Sequence, residues 1–244
     1  MTDLLNGKVA IVTGGSKGIG FGIAERFTNE GATVIICSRT ESDLSEASDN
    51  IGCDSYQLDV SDSNKIRSMV EWFTEKYGKL DILVNNAGLI RPGRINDVTE
   101  EDWDLQLNVN LKGPYLMSSN FLPHMNKGGS ILNIASTVGL RAMKGAVAYC
   151  ASKGGVVNLT KAMALDLAGE IRVNCICPAV VDTPMVDERV QSGHISRRVL
   201  EKVQPMGRMG KPAEIASMAL HLCGSEAEWT TGSIITIDGG QTAA

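Results

Sequence analysis

Short runs of apolar and β-branched residues recur along the chain, separated by longer segments whose apolar residues follow a helical spacing. Runs that are apolar almost throughout predict strands covered on both faces, as in a parallel sheet. The predicted strands are 8–12, 33–37, 55–59, 81–85, 130–134, 172–176 and 233–237, and the predicted helices are 18–30, 62–77, 100–122, 149–168 and 212–223. This alternation predicts the α/β class, with a Rossmann-type, doubly wound, seven-stranded parallel sheet and helices on both of its faces.

One segment interrupts this alternation. The sequence shows no linker, repeat or low-complexity tract, so we expect residues 1–244 to form a single domain. Residues 178–211, however, follow a predicted strand, contain several prolines and glycines, and include His194. A long excursion of this kind is commonly a lid over a binding site or a surface insertion, and its start at the carboxyl end of a strand favours the lid.

The composition argues against several classes of partner. Apolar residues make up 43% of the chain and charged residues 21%, which is typical of a globular protein. The formal charge of −5 is mild and no basic run occurs, so neither nucleic acid nor a membrane surface is expected as a partner. The chain start lacks the features of a signal peptide and no apolar run could span a bilayer, so we expect a cytoplasmic protein.

The cysteines and histidines do not indicate a metal site. The six cysteines include no Cys-x-x-Cys pair, and Cys175 and Cys177 share one face of a predicted strand with no further ligand residues nearby. Buried thiols in a reducing compartment explain this pair better than metal ligation does. Because the three histidines are isolated from one another in the sequence, we expect no bound metal.

A glycine-rich turn, residues 13–20 (TGGSKGIG), joins the first predicted strand to the first predicted helix. Glycine allows the backbone N–H groups to approach a pyrophosphate closely, and the positive end of the following helix then faces the anion. The spacing is G-x-x-x-G-x-G, and a purely structural turn is the alternative explanation. The residues expected to contact a dinucleotide here are Gly14, Ser16, Lys17, Gly18, Ile19 and Gly20.

The end of the second predicted strand indicates which dinucleotide binds. An acidic residue at this point would bind the adenosine ribose hydroxyls and repel a 2′-phosphate. This chain instead has Ser38 and Arg39, with no acid before Glu41, and Lys17 lies within plausible reach. A guanidinium and an ammonium can both pair with a phosphate. These residues predict a preference for NADP(H) over NAD(H), unless the two cations are simply solvated.

Three residues form a candidate proton-handling set. Tyr149 and Lys153 are four apart on a predicted helix and therefore share a face, and Ser136 follows a predicted strand. A neighbouring ammonium and the cation of an oxidised nicotinamide both favour the phenolate of a tyrosine. The serine hydroxyl could bind the oxygen of a substrate. A Tyr-x-x-x-Lys pattern alone is weak, and the strand-end serine and the glycine-rich turn strengthen it.

These motifs, in this order, resemble the short-chain dehydrogenase/reductase family over nearly the whole chain, including Asn85-Asn86-Ala87-Gly88 and Asp238-Gly239-Gly240. The chain is most similar in pattern to ketone-reducing members related to tropinone reductases, sugar-acid dehydrogenases and 3-oxoacyl reductases. The resemblance implies one dinucleotide-binding and catalytic domain that transfers a hydride directly between the cofactor and a ketone/alcohol pair, with Tyr149 as acid/base. It also implies a homotetramer, or else a dimer.

The resemblance extends to individual residues. Asn110 matches a fourth catalytic position, whose backbone bends its helix around a proton-relay water. Where the family usually has Pro-Gly, this chain has Pro178-Ala179, and the added methyl group could narrow the nicotinamide pocket. The further cofactor contacts that the resemblance implies are Asp59, Val60, Asn86, Ala87, Gly88, Pro178, Val181 and Thr183.

The substrate is less well defined by the sequence. We expect Ser136, Val138, Met143, Tyr149 and Met185 to contact it, and their mostly apolar character fits a ketone with a hydrophobic body. Nearby basic residues could bind an anionic group or could be solvated surface charges; they are Arg91, Arg141, Lys144, Arg197 and Arg198. The alternative functions are a cofactor-binding regulator without catalysis, a dehydratase or epimerase of the same fold, and a Rossmann-like methyltransferase.

Overall fold

Seven parallel strands form one sheet in the order β3-β2-β1-β4-β5-β6-β7. The computed structural model describes residues 3–191, 193 and 195–243, so His194 lies outside the described residues. The strands are β1 (Val9–Thr13), β2 (Thr33–Ser38), β3 (Asp54–Gln57), β4 (Leu80–Asn85), β5 (Met125–Ile134), β6 (Ile171–Pro178) and β7 (Ile234–Ile237). The predicted seven-stranded, Rossmann-type parallel sheet is therefore confirmed.

Helices cover both faces of this sheet. They are α1 (Gly18–Asn29), α2 (Glu41–Ile51), α3 (Ser63–Tyr77), α4 (Glu100–Leu107), α5 (Gly113–Phe121), α6 (Val147–Asp166), α7 (Pro184–Gln191), α8 (Arg197–Lys202) and α9 (Pro212–Cys223). Apolar residues of α1 and α9, including Phe27 and Leu220, pack in one core cluster. Phe73 of α3 and Phe121 of α5 pack in a second cluster. The fully apolar strands are thus buried on both sides, as their sequence pattern predicts.

Three stretches differ from the predicted helices. Helix α2 was not predicted, because only Leu44 and Ala47 of its residues are buried and the rest form a polar surface without a strong apolar stripe. The predicted helix 100–122 consists of α4 and α5 joined by a π-helix at Asn108–Lys112. The excursion after β6 contains two short helices, α7 and α8, that the sequence pattern did not predict.

The sheet order determines where a site can form. The strand order reverses between β1 and β4: β2 and β3 lie on one side of β1, and β4 to β7 lie on the other. The connections that follow β1 and β4 therefore lead to opposite faces of the sheet. In open α/β sheets, a crevice at this reversal is the usual ligand site. The glycine-rich turn after β1 and residues 86–88 after β4 meet there. Within the described residues, no helix is both long and apolar enough to cross a membrane.

Candidate active site

A cavity of about 630 Å³ opens at the carboxyl edge of the sheet. Its outer end is lined by Lys17, Ser38, Arg39 and Asp59, and its inner end by Tyr149, Lys153 and Arg189. Residues of the glycine-rich turn also line the wall. The remaining lining residues are Gly14, Ser16, Gly18, Ile19, Cys37, Thr40, Leu58, Val60, Asn86, Ala87, Gly88, Leu89, Ile90, Arg91, Pro92, Val109, Ile134, Ala135, Thr183, Pro184, Met185 and Glu188.

The glycine-rich turn is held tightly against the loop after β4. The Asn86 side chain donates from Nδ2 to the carbonyl oxygens of Thr13 (2.9 Å) and Gly14 (3.1 Å). Gly14 has φ of +63°, and a Cβ there would lie 2.9 Å from the Cα of Ala87. Only glycine combines this conformation with so close an approach. The bare backbone of the turn therefore faces the cavity, as binding of a pyrophosphate requires.

Gly20 lies behind the glycine-rich turn. A Cβ at Gly20 would lie 2.2 Å from the carbonyl oxygen of Gly14, so this glycine lets helix α1 pack directly behind the turn. Gly20 is buried and, unlike Gly14 and Gly18, is not among the residues that line the cavity. Gly20 therefore contributes to the shape of the turn.

The outer end carries exposed charges. Lys17 pairs with Asp43 of α2 at 2.7 Å (Nζ to Oδ2), and Arg39 is exposed at the rim. Burial alone would raise the pKa of Asp59. The hydrogen bonds from the Ser61 backbone N–H (2.9 Å) and hydroxyl (2.6 Å), together with the charges of Arg39 and Lys65, hold that pKa below its ordinary value. Asp43 was not anticipated as a neighbour of Lys17, because helix α2 itself was not predicted.

Tyr149 and Lys153 lie one turn apart on α6. Lys153 is 4% exposed, donates from Nζ to the carbonyl oxygen of Ile134 at 2.8 Å, and has Nζ 5.9 Å from the centre of the Tyr149 ring. Burial lowers the pKa of Lys153 to about 8, against an opposing effect of the Cys175 and Cys177 thiols. The ammonium of Lys153 can therefore release a proton at a pH not far above neutrality.

Burial raises the pKa of Tyr149 to about 12, although a hydrogen bond with Ser136 and the charge of Arg189 oppose the shift. The sequence led us to expect an ammonium that favours the phenolate, yet in this structure burial outweighs every charge near the phenol. Tyr149 is consequently a protonated phenol at neutral pH.

Ser136 follows β5 and caps a short 3₁₀ helix at Thr137–Gly139. Its hydroxyl accepts a hydrogen bond from the N–H of Val138 (3.3 Å) and donates to the carbonyl oxygen of Pro178 (3.5 Å). The Ser136 side chain also forms a hydrogen bond with the phenol of Tyr149. A serine hydroxyl and a tyrosine hydroxyl that lie within hydrogen-bond distance of each other can both form a hydrogen bond with one substrate oxygen.

Asn110 lies in the π-helix and is completely buried. Its side chain donates from Nδ2 to the carbonyl oxygen of Leu89 (2.9 Å) and the hydroxyl of Ser152 (3.1 Å), and Oδ1 accepts from the N–H of Leu89 (2.8 Å). A Cβ on Gly88 would lie 3.2 Å from Asn110 Oδ1 and 3.4 Å from Lys153 Nζ. Asn110 thus ties the loop after β4 to α6 directly beside the lysine, and π-helices of this kind are frequent at functional sites.

The other sequence-predicted residues divide into two groups. Thr183 and Met185 line the cavity, and Thr183 lies beside Gly18 of the turn. The others are not among its lining residues: Ser136, Val138, Met143, Pro178 and Val181. Val181 is 5% exposed because its side chain joins the core cluster formed with α1 and α9. Met143 is exposed on the loop before α6, where its N–H lies 3.4 Å from the sulfur of Cys150.

The basic candidates also divide. Arg141 donates to the carbonyl oxygen of Gln241 (3.1 Å), and Arg197 pairs with Asp182 (2.9 Å) and Asp187 (2.7 Å). Arg91 lines the cavity, and so does Arg189, which was missed. The signal that could have found Arg189 is its spacing of four from Met185, which places both on one face of a helix that begins with a proline.

The sequence of this chain matches a known protein family over most of its length. A family model described as enoyl-(acyl carrier protein) reductase matches residues 14–242. The chain is 41% identical to the 3-oxoacyl-[acyl-carrier-protein] reductase FabG of Thermotoga maritima, over 97% of this chain and 98% of the relative. It is 36% identical to dehydrogenase/reductase SDR family member 6 of Rattus norvegicus, over 97% of this chain and 98% of the relative.

Solved structures show the same relationship. The ligand-free aldohexose dehydrogenase of Thermoplasma acidophilum superposes with a TM-score of 0.91 at 36% identity, covering 100% of this chain and 96% of that one. A glucose/ribitol dehydrogenase of Brucella melitensis superposes with a TM-score of 0.93 at 28% identity, covering 99% of both chains. This chain therefore belongs to the short-chain dehydrogenase/reductase family of oxidoreductases.

Proposed function

We propose that this protein interconverts a ketone and a secondary alcohol by direct hydride transfer with a nicotinamide dinucleotide, and that Tyr149 acts as acid/base. One observation carries the proposal: Tyr149 and the buried Lys153 share a face of α6 and line the same cavity as the glycine-rich turn. The bare backbone at Gly14 fits the cofactor's pyrophosphate. When bound, the cofactor supplies or accepts the hydride.

The protein's own residues would transfer the proton to and from the substrate oxygen. In reduction, the phenol of Tyr149 donates its proton to the substrate's carbonyl oxygen, which Ser136 helps to polarise. Because Lys153 has a pKa of about 8, its ammonium can restore that proton near neutral pH. Asn110 holds the loop and helix that surround the lysine. In oxidation, Tyr149 must first lose its proton, and its pKa of about 12 makes this direction faster at higher pH.

We propose a preference for NADP(H) on the basis of the outer end. Arg39 is an exposed guanidinium on the cavity wall beside Ser38, in a position to pair with a 2′-phosphate. Lys17 is a weaker second contact because it already pairs with Asp43. Arg39 is therefore the principal determinant of this preference.

The remaining proposals concern the lid, the oligomeric state and the location of the protein. Residues 178–211 act as a substrate lid on a single domain, which is supported by Thr183, Pro184 and Met185 in the cavity wall. A homotetramer is supported by the apolar side chain of Leu165 on α6, which is exposed in the single chain. The free thiols of all six cysteines fit a cytoplasmic location. Light scattering in solution tests the tetramer.

A panel of carbonyl compounds tests the proposed reaction. The purified protein is mixed with NADPH or NADH and with cyclic ketones, 3-oxoacyl thioesters, keto sugar acids or enoyl thioesters, and nicotinamide absorbance is followed. We expect turnover of at least one ketone and more efficient use of NADPH. Turnover restricted to the enoyl compounds, or loss of water without net nicotinamide oxidation, would replace the proposal with a different reaction of the same fold. Binding of NADPH without any turnover would favour the regulator.

A further inference from the structure

Helix α4 buries an amide side chain. Among the described residues of this helix, Gln106 alone is buried, at 0% exposure. Glutamine is mostly an exposed residue, and a buried amide is stable only when it is hydrogen-bonded. Its Oε1 accepts from the N–H of Arg91 at 3.0 Å, and its Nε2 donates to the carbonyl oxygen of Asp102 at 3.2 Å. The Gln106 amide therefore joins α4 to the loop that follows β4.

The wall loop, residues 89–93, is also held at its two ends. At its start, the Asn110 side chain binds both the N–H and the carbonyl oxygen of Leu89, at 2.8 and 2.9 Å. At its end, the N–H of Gly93 donates to the carbonyl oxygen of Gly145 at 2.8 Å. The α4 amide supplies the attachment in the middle. A segment without regular secondary structure is thus fixed in place through its backbone groups.

The wall loop runs between the two groups proposed to transfer the proton. Residues 89–92 line the same cavity as Tyr149 and Lys153. A Cβ on Gly88, which precedes the loop, would lie 3.4 Å from Nζ of Lys153. The N–H of Val147, two residues before Tyr149 on α6, donates to the carbonyl oxygen of the last loop residue at 3.4 Å. A substrate whose carbonyl oxygen reaches Tyr149 must therefore fit against this loop.

We infer that Gln106 is a positioning residue that fixes the wall loop and thereby limits the bulk that a ketone can carry on the carbons next to its carbonyl group. The inference rests on the proposed ketone/alcohol function and specifies the class of substrate as unhindered ketones. The Gln106 side chain cannot move without breaking two buried hydrogen bonds, so the loop that it holds is a rigid wall. A rigid apolar pocket distinguishes ligands that differ by one methylene group by about 10- to 200-fold.

Paired ketones test the inference. Initial rates with NADPH are measured for ethyl 3-oxobutanoate and cyclohexanone, each compared with the analogue that carries two methyl groups on the carbon next to the carbonyl group. We expect the unmodified enzyme to prefer at least one unhindered ketone by about 10-fold or more in kcat/KM, and Gln106→Met to reduce that preference by about 10-fold. The KM for NADPH should stay within about 2-fold, because the cofactor does not depend on this attachment. Gln106→Glu keeps the accepting oxygen and should retain the preference.

Amide hydrogen exchange gives a readout that does not depend on turnover. In Gln106→Met the N–H of Arg91 loses its acceptor and should exchange about 10-fold faster, in keeping with the loss of one hydrogen bond. The N–H of Leu89 is held by Asn110 and should change less. This difference between two neighbouring amides separates release of the loop from a general loss of stability.

Thr160→Val is the matched control. Thr160 is also completely buried, and its hydroxyl accepts from Nδ2 of Asn133 at 2.9 Å and donates to the carbonyl oxygen of Val156 at 2.8 Å. The variant therefore loses two buried hydrogen bonds, as Gln106→Met does, without touching the wall loop. It should keep both the preference for unhindered ketones and the exchange rate of the Arg91 amide.

The failures are distinguishable. If no ketone of any kind is reduced, the proposed function is wrong and the inferred selectivity falls with it. If ketones are reduced but the preference or the Arg91 exchange rate is the same in Gln106→Met as in the unmodified enzyme, the function stands and the inference is wrong. If Gln106→Met raises KM for NADPH and leaves the preference intact, Gln106 positions the cofactor instead, and the inference is again wrong. Gln106→Leu, which also lacks the acceptor, is judged by the same outcomes if the methionine variant does not fold.

Discussion

The two ends of the cavity use charge in opposite ways. At the outer end, Lys17 has a side chain that is 53% exposed and pairs with Asp43 at the surface. At the inner end, Lys153 is 4% exposed, and burial moves its pKa to about 8. Water and salt screen exposed charges, whereas buried charges act strongly on their neighbours. The outer end is thus suited to graded selection between cofactors, and the inner end to proton transfer.

The largest expected effect comes from Lys153→Met. Loss of the buried ammonium should lower kcat by about 10²–10⁴-fold, the usual contribution of general acid–base catalysis. The fold disfavours the charged form of Lys153, as its depressed pKa shows, so methionine should also stabilise the protein at neutral pH by about 1–2 kcal/mol in urea unfolding. A variant that is both active and less stable would show that the inner end does not differ from the outer end as described.

Arg39→Ala tests the outer end. Removing the exposed guanidinium should lower the ratio of kcat/KM for NADPH to that for NADH by about 10-fold, because a charge-assisted contact with the 2′-phosphate is lost. The ratio for the unmodified enzyme should also fall as salt is added. An unchanged ratio would assign cofactor selection to other residues.

The pH dependence of oxidation tests the link between Arg189 and Tyr149. The charge of Arg189 favours the phenolate, so Arg189→Met should raise the pKa of Tyr149 further. Oxidation of an uncharged secondary alcohol needs the phenolate, and the rising limb of its pH–rate profile should therefore move to higher pH. Reduction at neutral pH uses the phenol and should change little. A shift to lower pH would contradict the sign of this interaction.

The smallest expected effect is that of Asp43→Asn. This change releases Lys17 from its ion pair and should improve the KM for NADPH by about 2-fold at low salt, since exposed pairs contribute little. The improvement should vanish at high salt. An effect as large as that of Arg39→Ala would mean that Lys17, and not Arg39, is the main phosphate contact.

Local patterns were sufficient to predict the sheet and the central motifs. The strands are apolar throughout because both faces are covered, and the glycine-rich turn and the pair Tyr149 and Lys153 depend only on spacing along one or two elements. Helix α2 could not be recognised in this way, since so few of its residues are buried. Asp43, which pairs with Lys17, was missed with it.

Side-chain directions in the excursion after β6 depend on tertiary packing. Val181 was expected to contact the cofactor but turns into the core beside α1 and α9. Helix α7 has no buried residue among those described, so the sequence shows no apolar stripe from which this helix could be predicted. The position of Arg189 on the cavity wall could not be predicted either. The family resemblance implied a bend of the helix at Asn110. Its form, a π-helix held by contacts with Leu89 and Ser152, depends on residues that are distant in the sequence.

The role of Tyr149 is tested most directly by Tyr149→Phe, with Tyr115→Phe as the control. Tyr115 is 54% exposed on α5, so its hydroxyl can be removed without touching the cavity. Ketone reduction and NADPH binding are measured for both variants. We predict that Tyr149→Phe lowers kcat by about 10²–10⁴-fold while its Kd for NADPH stays within about 2-fold, and that Tyr115→Phe matches the unmodified enzyme. A Tyr149→Phe protein that reduces ketones at an undiminished rate would contradict the account.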